Sequence, residues 1–210
     1  MPPLQKEPLS RRHTSASLAA SPHSSGGRRE EGPVRAALVE LKPFVQEPLA
    51  ATTEWQQVLA LAQRLLGVLN EPAMLASIAA ANRPKGSSAE VQAAFREPAE
   101  RLGFHSERKG LFAESISGLR PDYYMPFGDT GILLEVERGK TTTNNMDLLD
   151  FWKCHISGNA NYLFLLVPKA LQHNDGMTPK KEYATVARRL AQFFVPGKYT
   201  NVRGLCLFGY

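Results

Sequence analysis

Residues 131–137 read Gly-Ile-Leu-Leu-Glu-Val-Glu, an apolar run that closes on two carboxylates and is followed by Arg138-Gly139-Lys140. Branched side chains bounded by polar and glycine residues mark this stretch as a strand. Alternate residues of a strand share a face, so Ile132, Leu134 and Val136 project to one side, as expected of a strand buried by a helix. Glu135 and Glu137 then project together on the other side, roughly 6–7 Å apart. Two carboxylates on one face of an apolar strand are unfavourable unless something cationic lies between them. Asp122 joins them if its strand runs alongside. Three oxygen ligands of this kind suit Mg²⁺, which keeps part of its water shell and bridges to phosphate. In the alternative reading one Glu faces solvent at the strand end and pairs with Arg138 or Lys140.

The rest of the chain supplies a context for that strand. Residues 1–33 are rich in Pro, Ser, Gly and Arg and hold few bulky apolar side chains. They cannot bury enough surface to offset their ordering entropy, and the expectation is a disordered tail. Residues 34–84 read as a helical N-terminal segment. Trp55, Val58, Leu59, Leu65, Leu66 and Leu69 recur near helical spacing, and Pro72 opens a second short helix over 73–81. Pro43 and Pro48 divide the stretch before them into short pieces. From residue 85 the elements change in kind. Helices are expected over 88–102, 146–156 and 182–194, with strands over 109–116, 119–127, 130–138, 162–167 and 202–208. This α-β-β-β-α-β-α-β order combines an antiparallel meander with a parallel crossover, so the expected fold is an α/β sandwich around a mixed central sheet.

Composition narrows the class of partner. The chain of 210 residues carries a formal net charge of +5. The excess is +3 over residues 1–36, −1 over 37–84 and +3 over 85–210. Such a balance permits a polyanion without requiring one. Two cysteines, Cys154 and Cys206, exclude a disulfide-dense scaffold and a four-thiolate zinc site. Reduced thiols in a cytoplasmic protein are the expectation. The longest apolar runs are too short to span a bilayer, and no secretory signal is apparent, so no membrane partner is expected.

Pro121-Asp122, a short gap and Glu135-x-Glu137 on an apolar strand resemble the active site of the PD-(D/E)xK nuclease superfamily. The resemblance spans roughly residues 85–210, because the same α-β-β-β-α-β-α-β order forms that family's restriction-endonuclease-like core. It implies that Asp122 and Glu135 bind a divalent metal, Mg²⁺ or Mn²⁺. Glu137 would stand where the family usually has Lys, as it does in some restriction endonucleases. Lys140 from the strand end, or Lys153 from the following helix, would supply the missing ammonium and orient the attacking water. Family members often place another acid on the helix before the sheet, for which Glu90 is the candidate. Ser87-x-x-Glu90 is equally a capping box, which would occupy that residue structurally. The function implied is a Mg²⁺-dependent endonuclease cutting DNA, with RNA not excluded and a homodimer left open. The alternative is a catalytically degenerate nuclease fold that binds DNA or a protein partner without cleavage.

Other motifs read as ordinary structure. Gly139-Lys140-Thr141 lacks the earlier glycine of a phosphate-binding loop, since Leu134 occupies that position. Adjacent Cys154 and His155 point about 100° apart on a helix and make a poor chelate. Thr141 to Asn145 is expected to start a helix, with Asn144 or Asn145 as its cap, rather than to contact phosphates. Phe151 and Trp152 are expected in the core. Lys180-Lys181, Arg188-Arg189 and Lys198 form either a backbone-binding face or plain solvated surface.

Overall fold

The computed structural model describes residues 37–106, 120–139, 141–172 and 176–210. Strand β1 (Glu40–Val45) leads into helices α1 (Thr53–Leu69), α2 (Pro72–Ala81) and α3 (Ser88–Arg101). The chain continues through β2 (His105–Ser106), β3 (Tyr123–Phe127), β4 (Thr130–Val136), α4 (Met146–Ile156), β5 (Tyr162–Val167), α5 (Glu182–Leu190) and β6 (Gly204–Gly209). From α3 onward the order is the expected α-β-β-β-α-β-α-β. The expected tail over 1–33 and the expected strand over 109–116 lie outside the described residues, as does Lys140.

The six strands form one sheet in the order β1-β6-β5-β4-β3-β2. β4, β5 and β6 run parallel, while β1, β3 and β2 add antiparallel edges. The parallel centre follows from composition. Tyr162–Val167 is Tyr-Leu-Phe-Leu-Leu-Val and is buried throughout, which only a strand covered on both faces tolerates. On one face Ile132, Leu134, Phe164 and Phe208 pack with Trp55, Val58 and Leu65 of α1 and with Val91 and Phe95 of α3. On the other, Leu133, Leu163, Leu165 and Leu207 pack with Phe151 and Cys154 of α4 and Val186 and Leu190 of α5. The result is an α/β sandwich with a mixed central sheet.

Two expectations need correction. The segment before residue 84 is helical only in part, because β1 pairs antiparallel with β6 and joins the sheet. Its helices α1 and α2 share one core with the sheet and α3. Trp152 is 48% exposed, whereas its neighbour Phe151 is buried at 1%. Both cysteines are free and buried. Among the described residues no helix is long and apolar enough to cross a membrane.

Candidate active site

The side chains singled out on β4 meet partners from three directions. Tyr123 lies opposite Leu134 in the β3–β4 ladder, so Asp122, one residue earlier, comes alongside Glu135. The two are tied twice. The Asp122 amide donates to Glu135 Oε2 at 3.0 Å, and the Val136 amide donates to Asp122 Oδ2 at 2.8 Å. From the opposite layer, Gln92 of α3 donates through Nε2 to Asp122 Oδ1 at 3.1 Å. Antiparallel pairing thus places both carboxylates at the edge where β3 begins.

Helix α4 completes the cluster. Asp147, Asp150, Phe151 and Cys154 are its buried residues, a spacing of i, i+3, i+4 and i+7. Lys153 extends from the rim of that face toward β4. Its Nζ lies 3.0 Å from Glu135 Oε1 and 2.8 Å from Asp150 Oδ1, bridging strand and helix. Glu137, half-buried just past the end of β4, lies close enough to Asp150 for the two carboxyls to shift each other's titration. Asp150 Oδ2 is buried with no hydrogen-bond partner.

Titration follows from this enclosure. Burial pushes the Glu135 carboxyl well above its usual range, and the charge of Asp150 adds to the effect, while Lys153 opposes it. Burial and then Asp150 push Glu137 up to about 8, so this carboxyl is largely protonated at neutral pH. Asp122 and Asp150 shift upward for the same first reason, with Lys153 opposing the shift in both. Burial works against the Lys153 charge, but Glu135 and Asp150 outweigh it and hold the ammonium's pKa above its ordinary value. Four acids around one lysine leave an excess of negative charge that protons neutralise here and a hard cation could neutralise instead.

The fit to such an ion depends on how many ligands it must take from protein. Among the described residues no three His, Cys, Asp or Glu side chains are spaced to hold a metal ion. Mg²⁺ usually takes one or two carboxylates and completes its shell with water and phosphate. Adjacent Asp122 and Glu135 fit that smaller requirement. Each of their oxygens accepts one protein hydrogen bond and keeps a second lone pair. Asp122 also faces a cavity of about 260 Å³, lined in part by Arg96, Ser106, Arg120 and Tyr123.

Glu90 takes its structural role. Its Oε2 accepts from the Ser87 amide at 2.7 Å and the Ser87 hydroxyl at 3.0 Å, closing a capping box, and its Oε1 pairs with Arg83 at 2.8 Å. It makes no hydrogen bond to the carboxylate cluster, so the expectation of Glu90 as a metal ligand is corrected in favour of the cap. Gln92, two residues on, is the α3 side chain that reaches Asp122. Asn145 does precede α4, with φ of 57°, but its side chain accepts from Arg189 instead of capping the helix. Arg189 is likewise committed to Asp147 and to the Thr142 carbonyl rather than open to solvent. Asp150 and Gln92 escaped the sequence reading. For Asp150 a signal existed, because it recurs with Asp147, Phe151 and Cys154 along one buried helical stripe.

No family model and no curated protein matches the chain. Among solved structures it is similar to restriction endonuclease BglII in complex with a DNA 16-mer, at 9% identity and a TM-score of 0.43. That likeness covers 81% of this chain and 77% of the other.

Proposed function

We propose that the chain is a divalent-cation-dependent phosphodiesterase that cuts DNA. The observation carrying this reading is the pairing of Asp122 with Glu135 across neighbouring strands, with Lys153 seated on Glu135. Asp122 and Glu135 belong to the motif that resembles PD-(D/E)xK nucleases. Mg²⁺ or Mn²⁺ held by Asp122 and Glu135 would supply Lewis-acid activation of a phosphate and a more acidic water. Lys153 is the ammonium that stands in for the residue replaced by Glu137, and it orients a water or phosphate oxygen beside Glu135. Glu137, whose carboxyl is pushed up to about 8 by burial and then by Asp150, would exchange a proton with that water.

Plasmid cleavage by the purified chain, with Mg²⁺ or Mn²⁺ and with excess chelator, tests the reading. Cutting is expected only with the metal, and Asp122→Asn or Glu135→Gln should slow it on the order of 10³-fold. Undiminished cutting by either variant rules the mechanism out. A second reading, a nuclease fold that binds DNA without cutting it, is favoured by Glu137 in the lysine position and by the lack of a three-ligand cluster among the described residues. Metal-independent DNA binding with no cleavage by the unmodified chain would select it.

A further inference from the structure

The cavity beside Asp122 has a composition that the chemistry at Glu135 does not use. Two short segments supply most of its described lining, with Ser106 of β2 beside them. On α3, Gln92 and Arg96 are four residues apart and share a helical face. On the chain entering β3, Arg120 and Asp122 flank Pro121 and both line the cavity. Each segment therefore contributes one guanidinium and one group of the carboxylate site. Gln92 bonds Asp122 Oδ1, and the Tyr123 hydroxyl donates to the Gln92 carbonyl at 3.4 Å, fixing the helix against the strand. Arg96 lies beside that same hydroxyl.

We propose that this cavity is a phosphate subsite, in which Arg96 and Arg120 grip a nucleic-acid phosphate next to the one brought to Asp122 and Glu135. About 260 Å³ is room for a phosphate group with part of its sugar. Guanidinium forks match phosphate oxygens in geometry and charge, whereas the carboxylates alone would repel a polyanion. Both arginines are exposed. The proposal deepens the nuclease reading by assigning the substrate a second point of attachment. It concerns binding alone and involves no metal.

Fluorescence polarisation of a short labelled duplex, with the full chain and excess chelator, tests it. Arg96→Gln and Arg120→Gln should each weaken binding about tenfold and lower the slope of log Kd against log salt by about 1. Arg64→Gln, an exposed arginine on α1, is the control for general charge and should do neither. A duplex with a 5′-phosphate and one with a 5′-hydroxyl separate the sources. Equal affinities assign the subsite to an internal phosphodiester, and a 5′-phosphate preference lost in the arginine variants assigns it to a strand end. Arginine variants that bind like the Arg64→Gln control, with unchanged circular dichroism, overturn the proposal. Failure of the nuclease reading looks different: no cleavage with Mg²⁺, yet arginine-dependent binding retained.

Discussion

At the scale of single residues, position within an element decided which acids joined the carboxylate cluster and which became a helix cap. Glu90 and Glu135 are both glutamates with two partnered oxygens. Glu90 is exposed, bonded first by the Ser87 amide and then by Arg83, and its carboxyl is held down at about 2. Glu135 is enclosed and shifted the opposite way. A carboxyl depressed on folding contributes stability above its ordinary value of 4.5, and that contribution is lost as pH falls toward 2. Glu90→Gln should therefore melt below the unmodified chain at neutral pH, with the gap closing between about pH 4.5 and 2. Thermal scans across that range measure it, and a constant gap would mean the carboxylate charge is irrelevant to the cap. The capping box was legible because its signature is local, Ser87 followed three residues later by Glu90. That Asp122 and Glu135 lie side by side was legible through strand alternation and the short gap between them. Asp150 was not, since an Asp inside a helix reads as a solvated side chain until its buried stripe is counted. Gln92 has no local signature at all; only the packing of α3 beside β3 gives it a role.

At the scale of elements, burial on both faces made strands easy to recognise, and edges made them hard. β4 and β5 announced themselves through branched and aromatic runs, and Met146–Ile156 and Tyr162–Val167 have the expected bounds. β1 did not, because Glu40, Lys42 and Pro43 interrupt its apolar residues. An edge strand tolerates all three, since one side of its backbone needs no ladder partner and charges there discourage pairing with another molecule. β6 shows the opposite demand. A Cβ on Gly204 would lie 2.5 Å and 3.0 Å from ring carbons of Trp55 and 3.2 Å from Tyr162. Trp55 is buried and stacked on Tyr162, with ring centroids 6.2 Å apart, so it has little freedom to retreat. Gly204→Ala should cost about 1–3 kcal/mol through overpacking. In a domain of this size that lowers Tm by about 2–4 °C per kcal/mol, readable by calorimetry. An unchanged Tm would mean that α1 can slide along the sheet.

At the scale of the whole molecule, the charge pattern and the sheet act together. The net charge of +5 is modest, yet the cluster at the β3–β4 edge gathers Asp122, Glu135, Glu137 and Asp150 around Lys153. The fold holds this repulsion in place because the four acids sit on three supports: Asp122 just before β3, Glu135 and Glu137 on β4 and just past its end, and Asp150 on α4. Protons relieve the repulsion in the metal-free chain, as the upward shift of all four carboxyls indicates. A divalent cation bound only to the folded form would relieve it further and stabilise the molecule by RT ln(1 + [M]/Kd), about 1.4 kcal/mol at ten times Kd. Mg²⁺ at that level should raise Tm by roughly 3–6 °C at neutral pH. Asp122→Asn should abolish the rise, because it removes one of two adjacent ligands. Arg96→Gln should leave it intact, because that arginine serves the polyanion rather than the cation. Differential scanning calorimetry with Mg²⁺ and with chelator distinguishes these cases. A rise that survives Asp122→Asn would place the cation elsewhere on the protein and remove the basis for metal-assisted cutting at this edge. No rise in the unmodified chain, alongside arginine-dependent DNA binding, would mean that protons and Lys153 already satisfy the cluster and that the fold holds DNA without cutting it.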